Sequence, residues 1–432
     1  LSLYNDGQAK DNCGFGLIVN RHGVRNRDVV KRSIAGLNSM THRGAIGSDG
    51  KTGDGCGLLF DLNKNFYKKV LKKEKNLDIS DFFGISQIFS SHSIKNDSSK
   101  IKAILESESL HFFCSRSVPI NKSILGEIAL ASLPHINQIF ITPSLKDFNK
   151  ERFESCLLQA RKKIEQIYDN DEKLYVCSMS CQTIVYKGLM LPNSISDFYE
   201  DISQKSFKAK ICLFHQRFST NTQPRWHLAQ PFRLLAHNGE INAIRGNRNW
   251  VKARTSKFST PLIPSIAEFK SLVNETGSDS SALDNMVELL IKGGINFFRS
   301  IRMVLPPAWQ NIHTMDPEVR AFHEYNSMHI EPWDGPAGIV MSDGQWAICV
   351  LDRNGLRPAR YQVLRNGMIT IGSETGIYPV PDDEILQRGR LSPGGIFAVN
   401  TESGEILDQT AIDNQLKQNK PYREWLKKSA IY

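Results

Sequence analysis

The chain has 432 residues, 40% hydrophobic and 23% charged, with a formal charge of +9. That composition is ordinary for a soluble globular protein of one large or two modest domains. It has no apolar run near the ~18–20 residues of a membrane span, and its lysines fall in short clusters (Lys68 and Lys69, Lys72 and Lys73, Lys162 and Lys163) rather than a basic stripe interleaved with aromatics, so neither a membrane nor a nucleic-acid partner is expected. Eight scattered cysteines without a C-x-x-C pair argue against a zinc site or a dense disulfide framework and fit a reducing cytoplasm.

The first twelve residues are polar and lack the layout of a secretory signal. Next comes Asp11-Asn12-Cys13-Gly14-Phe15-Gly16, at the head of an apolar run over 17–19 that reads as a buried strand. A cysteine at a strand head beside two glycines is reachable by a small substrate. Were residues 1–12 removed, Cys13 would carry both a thiol and a free α-amino group. The thiolate attacks, and an amine with a pKa near ~8 takes and returns the proton. With Asn12 attached, that nitrogen is an amide and cannot. The alternative is a structural cysteine in a strand.

Residues 26–37 predict a helix with Val30, Ile34 and Leu37 on one face. A glycine-rich loop over 44–57 and a strand over 58–60 follow. Inside that loop, residues 45–52 (Ala-Ile-Gly-Ser-Asp-Gly-Lys-Thr) satisfy a loose phosphate-loop pattern. That pattern needs a strand before it and a helix after it. Here the order is reversed, and Asp49 would set a negative charge beside the phosphates. Helices are predicted over 61–75, 97–106 and 150–168, the last with Phe153, Leu157, Ala160 and Ile164 at helical spacing, and strands over 175–179, 183–186 and 211–215. Residues 232–236 read as a strand, His237-Asn238-Gly239 as a tight turn, and Glu240 as the start of a helix ending in Arg245-Gly-Asn-Arg-Asn-Trp250. Residues 279–292 form a helix with Leu283, Met286, Val287 and Leu290 inward. Asp343-Gly344 and Asn366-Gly367, each between apolar runs, predict hairpins with two-residue turns. Helices followed by consecutive antiparallel strands imply an α+β fold rather than a doubly wound sheet. The polar, basic tail over 414–432 reads as a linker or a cut point.

Several of these residues together supply what an amide-cleaving thiol enzyme needs for an amino-acid substrate. A tetrahedral oxyanion needs two donors, and the Asn238 side chain with the Gly239 N–H can give both. An α-carboxylate wants the guanidinium fork of Arg217. An α-ammonium wants the Asp279 carboxylate, whose alternative reading is a helix cap.

The motifs Cys13-Gly-Phe-Gly, His42-Arg-Gly-Ala, Thr52-Gly-Asp-Gly, Arg217-Phe-Ser-Thr-Asn-Thr, Ala236-His-Asn-Gly-Glu-Ile-Asn and Gly277-Ser-Asp-Ser together resemble the class-II glutamine amidotransferase (glutaminase) domain of the glutamate synthase family. Arg225-Trp226, Glu331-Pro-Trp-Asp-Gly-Pro-Ala and Asp352-Arg-Asn-Gly-Leu-Arg-Pro-Ala-Arg360 extend the likeness along the chain, and Ile211-Cys-Leu-Phe-His-Gln-Arg-Phe218 is nearest the large chain of the bacterial NADPH-dependent type. The resemblance implies the N-terminal-nucleophile αββα sandwich, two antiparallel sheets between helical layers. It implies Cys13 as nucleophile, Asn238 and Gly239 as oxyanion hole, Arg217 supported by Thr220 on the glutamine α-carboxylate, Asp279 on the α-ammonium, and Arg43 and His237 in support. Residues 114–119 (Cys-Ser-Arg-Ser-Val-Pro) lack the family's tryptophan, and His227 stands where proline is common.

The same resemblance implies a leader over 1–12, the amidotransferase domain over 13–425, and the start of a linker over 426–432. No cofactor is expected in this domain. FMN and an iron–sulfur cluster would belong to downstream synthase domains of the same chain, where ammonia from L-glutamine would meet 2-oxoglutarate. An NADPH-oxidising small subunit would supply electrons. Two other readings stay open: a glutaminase serving a different ammonia acceptor, and an unprocessed, non-catalytic interaction module.

Overall fold

The computed structural model describes residues 13–145, 147–168, 173–217 and 223–429. Its centre is a seven-stranded sheet in the spatial order Ile385–Arg390, Arg360–Leu364, Met368–Gly372, Gly14–Asn20, Ile211–Gln216, Cys56–Asp61, Thr183–Gly188. Every neighbouring pair is antiparallel. The run that begins at Gly14 is buried along its whole length, as a middle strand covered on both faces must be.

A second antiparallel sheet has five strands, Ile406–Leu407, Ile396–Asn400, Trp346–Leu351, Ala337–Ser342 and Leu235–Gly239, with the last at an edge. Its side chains alternate in the strand period of two. Val340, Ala347, Cys349 and Leu351 join the core of the first sheet. Ile339, Met341, Ile348 and Val350 face the helices Asp279–Lys292 and Phe297–Val304. On the far side of the first sheet lies the helix Arg27–Ser39, held close by two glycines: a Cβ on Gly16 would come 2.1 Å from the Phe214 ring, and one on Gly36 2.8 Å. The layering is therefore the α+β sandwich expected, with antiparallel sheets between helices. Among the described residues no helix is long and apolar enough to cross a membrane.

The structure adds a four-stranded sheet, Leu110–Ser117, His135–Pro143, Gly84–Ser90 and Leu174–Ser180, of which only the last strand was legible. The helices Ser98–Ser107 and Lys150–Tyr168 cover one face through Ile101, Leu105, Leu157 and Ile164. Arg116, in the segment lacking the family tryptophan, is buried there. It pairs with Asp201 and Glu74 and donates to Gln138 Oε1 at 2.8 Å, so a charged network fills that region.

Four local expectations change. His237-Asn238-Gly239 is the end of a strand, Leu235–Gly239, not a tight turn. Its partner is Ala337–Ser342, so nothing local marks the pairing. The following helix begins at Ile244 and runs to Arg254, taking the Arg245-to-Trp250 segment inside it. Both hairpin loops hold three residues between strand ends. Only Gly344 (φ +90) and Gly367 (φ +80) take positive φ, while Asp343 Oδ1 and Asn366 Oδ1 accept backbone N–H groups two residues on. Residues 414–429 are not a linker: the helices Gln409–Gln418 and Tyr422–Ser429 bury Leu416, Tyr422 and Leu426 in the same core as Phe322.

Candidate active site

The strand register sets the nucleophile candidate. Gly14 lies opposite Gln216, and Gln216 opposite Cys56, so three strand ends meet at one rim. Cys13, one residue before Gly14, is half-buried there, beside the continuation of the neighbouring strand into Arg217. A Cβ on Gly14 would sit 2.7 Å from Met40 Sδ and 3.4 Å from Arg43 Cγ. The Arg43 stem thus walls the backbone next to Cys13. Its guanidinium is held by Glu374, with Nη2 donating to Oε2 at 2.8 Å across 331 residues of sequence. Arg43 therefore shapes the rim, with its charge paired to Glu374.

Arg217 is buried, and its N–H donates to Gly55 O at 2.9 Å. Burial lowers the guanidinium's pKa from its ordinary value, opposed by its neighbours Cys13, Asp54 and Asp279. Those three groups are near enough to act on one arginine, which gathers the widely separated sequence candidates into one site. Thr220 lies outside the described residues.

Facing them is the edge strand. Asn238 pairs with Gly338 and Gly239 with Ala337. Gly338 lets the sheets close: a Cβ there would come 2.9 Å from Phe15 Cε1, two residues after Cys13. Gly239 has φ +131, and a Cβ on it would lie 1.7 Å from Pro336 O, so only glycine fits. Asn238 is buried, and its Oδ1 has no hydrogen-bond partner among the described residues. That oxygen is an acceptor and keeps capacity for a donor on a bound molecule, while the donors this amide offers are its Nδ2 hydrogens. The His237 backbone is held from two sides: its N–H donates to Gln230 Oε1 at 2.8 Å, and its carbonyl accepts from His215 Nε2 at 3.0 Å. Burial lowers the pKa of the His237 ring, so at neutral pH it is uncharged.

Asp279 is the first residue of its helix. The cap is Ser278, whose side chain accepts from Ser281 N. Asp279 Oδ2 accepts from Ile241 N at 2.7 Å and Oδ1 from Ser280 N at 2.7 Å. It therefore ties down the backbone just beyond Gly239 while its charge reaches Arg217.

Four residues of this rim carried no assignment from sequence: Asp54, Glu374, His215 and Gln230. Asp54, inside Thr52-Gly-Asp-Gly, and His215, beside Arg217, sat within motifs already singled out. Glu374 and Gln230 had no local signal. The phosphate-loop lookalike is occupied from within. Asp49 Oδ1 accepts from Thr52 N at 2.8 Å, and Oδ2 accepts from the Thr52 hydroxyl at 2.6 Å and from Ile128 N at 3.1 Å. A carboxylate already sits where an anion would. Among the described residues no three His, Cys, Asp or Glu side chains converge as metal ligands would.

A cysteine at the head of a central strand, a buried arginine among carboxylates and an Asn-Gly pair on the facing edge strand line one rim. The chain belongs to the class-II glutamine amidotransferases, whose family model matches residues 13–425 and so begins at Cys13. Among curated proteins, the glutamate synthase [NADPH] large chain of Bacillus subtilis (strain 168) is 38% identical over 437 residues, covering 99% of this chain and 28% of that protein. The glutamate synthase [NADPH] large chain of Azospirillum brasilense is 36% identical over 98% of this chain and 28% of its own length. The glutamate synthase [NADH] of Saccharomyces cerevisiae is 36% identical over 99% of this chain and 20% of its own. The chain thus spans between a fifth and a little over a quarter of these relatives' length.

Proposed function

We propose that this chain is the glutaminase part of a glutamate synthase, hydrolysing L-glutamine to L-glutamate and ammonia. Once residues 1–12 are removed, the Cys13 α-amino group takes the thiol proton and the thiolate attacks the side-chain carboxamide carbon. The C–N π-conjugation is lost and a tetrahedral oxyanion forms, held by the Asn238 amide and the Gly239 N–H. The amine returns its proton to the leaving nitrogen, ammonia departs, and water cleaves the thioester to glutamate and free thiol. Arg217, with Thr220, holds the α-carboxylate and Asp279 the α-ammonium. Arg43 and His237 hold the rim in shape. The observation carrying this reading is geometric: Cys13 at the head of its strand and Arg217 on the continuation of the neighbouring strand share one rim, which the edge strand bearing Asn238 and Gly239 faces across the Gly338–Phe15 contact.

In the larger assembly, ammonia would pass to 2-oxoglutarate for reductive amination, in the cytoplasm. FMN and an iron–sulfur cluster in other domains, fed by an NADPH-oxidising small subunit, would carry the electrons. The names of the relatives support this over a different ammonia acceptor.

The test is the intact mass of the purified chain before and after the glutamine analogue diazo-oxo-norleucine. A chain beginning at Cys13 should gain one adduct, and Cys13→Ala should gain none and lose glutamine turnover. Turnover retained in Cys13→Ala would overturn the mechanism. Asn238→Ala should lower kcat by ~10²–10³ with the fold unchanged by circular dichroism.

A further inference from the structure

We infer that His215 and Gln230 are positioning residues for glutamine hydrolysis, clamping the His237 peptide on the open edge of its strand and so aiming Asn238 and Gly239 at Cys13. The inference rests on the glutaminase reading above.

The strand Leu235–Gly239 ends its sheet and, among the described residues, is paired only with Ala337–Ser342. An edge strand leaves N–H and C=O groups without a ladder partner and free to shift. At His237 both groups are taken by side chains, the N–H by Gln230 Oε1 at 2.8 Å and the carbonyl by His215 Nε2 at 3.0 Å. A carbonyl only accepts, so Nε2 must carry the imidazole proton. His215 lies opposite Phe15 in the first sheet. Its bond therefore runs from the neighbour of the nucleophile strand in one sheet to the residue before Asn238 in the other. Gln230 continues inward, with Nε2 donating to Ser280 Oγ at 3.4 Å. Ser280 follows Asp279, which holds Ile241 N at 2.7 Å. Asn238 and Gly239 are thus fastened on both sides, at 237 and at 241.

His215 is buried, and burial pushes its pKa down to about 3, so the ring stays a neutral donor at working pH. Its Nδ1 has no partner among the described residues. Among the described residues the ring therefore makes one bond, and that bond goes to the strand that carries Asn238 and Gly239.

The experiment measures kcat and KM for glutamine hydrolysis in the processed full chain, together with the rate of Cys13 alkylation by iodoacetamide. The alkylation rate reads thiol reactivity without an oxyanion hole. His215→Leu should lower kcat by ~10–100-fold, because a small misplacement of oxyanion donors is costly. KM and the alkylation rate should stay near wild type. His215→Gln, which places a donor at a comparable reach, should recover most of kcat. Gln230→Leu removes the other half of the clamp and should show the same kcat-selective loss, which keeps the test decisive should His215→Leu fail to fold. Unchanged kcat in a folded variant, or kcat and alkylation falling together, would overturn the clamp. A wild-type chain that hydrolyses no glutamine would overturn the glutaminase reading and the clamp with it.

Discussion

Gly239 shows how a single missing side chain governs this rim. Its φ of +131 and the 1.7 Å that a Cβ would leave to Pro336 O are two independent objections to any other residue. Gly239→Ala should therefore cost at least ~2 kcal/mol in urea unfolding and abolish glutamine turnover. Gly246 provides the contrast: it lies within the helix Ile244–Arg254, and a Cβ there meets nothing within 4 Å. Gly246→Ala should stabilise the fold by ~0.5–1 kcal/mol in the same assay. Arg217→Lys keeps a positive charge but loses the fork, so it should raise KM for glutamine on the order of tenfold with a smaller change in kcat.

At the scale of elements, the sequence spoke most clearly where burial followed a period. The helices Lys150–Tyr168 and Asp279–Lys292 lie where their apolar spacing predicts: Phe153, Leu157, Ala160 and Ile164 of the first pack in one core cluster with the four-stranded sheet, while the second is buried on all sides from Ser280 to Leu290. Residues 237–239, the end of the strand Leu235–Gly239, read as a turn for a physical reason. They close a polar edge strand, and the residues that satisfy its open side, His215 and Gln230, belong to other segments. The strands Gly84–Ser90, Leu110–Ser117 and His135–Pro143 escaped because sequences such as Leu-His-Phe-Phe-Cys-Ser-Arg-Ser alternate poorly when Arg116 is itself buried in an ion network. The site residues were legible as motifs. Their companions were not: Glu374 acts across 331 residues of sequence, and Gln230, seven residues before His237, belongs to no motif. The phosphate-loop lookalike yields its own prediction. The Thr52 hydroxyl and backbone hold Asp49 well below the usual carboxylate range, so it stays an anion in the place a phosphate would need. ATP should give Lys51 no protection from acylation, as read by peptide mass mapping.

Across the whole molecule, buried imidazoles set the response to acid. Burial pushes His215, His227 and His323 down to about 3 from an ordinary 6.5. Below pH 6.5 the unfolded chain binds protons that the folded chain refuses until about pH 3. Stability is therefore full above pH 6.5 and falls as pH drops through that window. For the fully buried rings of His215 and His323 the loss at pH 5 is about 2 kcal/mol each. Urea unfolding at pH 7 and pH 5 should show it, and His323→Leu should remove about one ring's share of the difference. Glu165 acts lower down. Burial works against its charge, but Arg161, Arg233 and Lys162 prevail and hold it at about 2. Its contribution is lost only as pH falls from the ordinary 4.5 towards 2; between pH 6.5 and 4.5 the histidines drive the decline, and Asp284, raised to about 6 by burial, opposes part of it.

The place of the first strand has a consequence in time. Gly14–Asn20 lies in the middle of its sheet, between Ile211–Gln216 and Met368–Gly372. A ribosome adding ~5–20 residues per second delivers that second neighbour tens of seconds after Cys13 has emerged. Until then one whole side of the nucleophile's strand has no partner, and Glu374 is not yet present to hold Arg43. The first residues of the site to be made are thus among the last to be seated. On the glutaminase reading, attack on glutamine therefore waits until those late strands have been made.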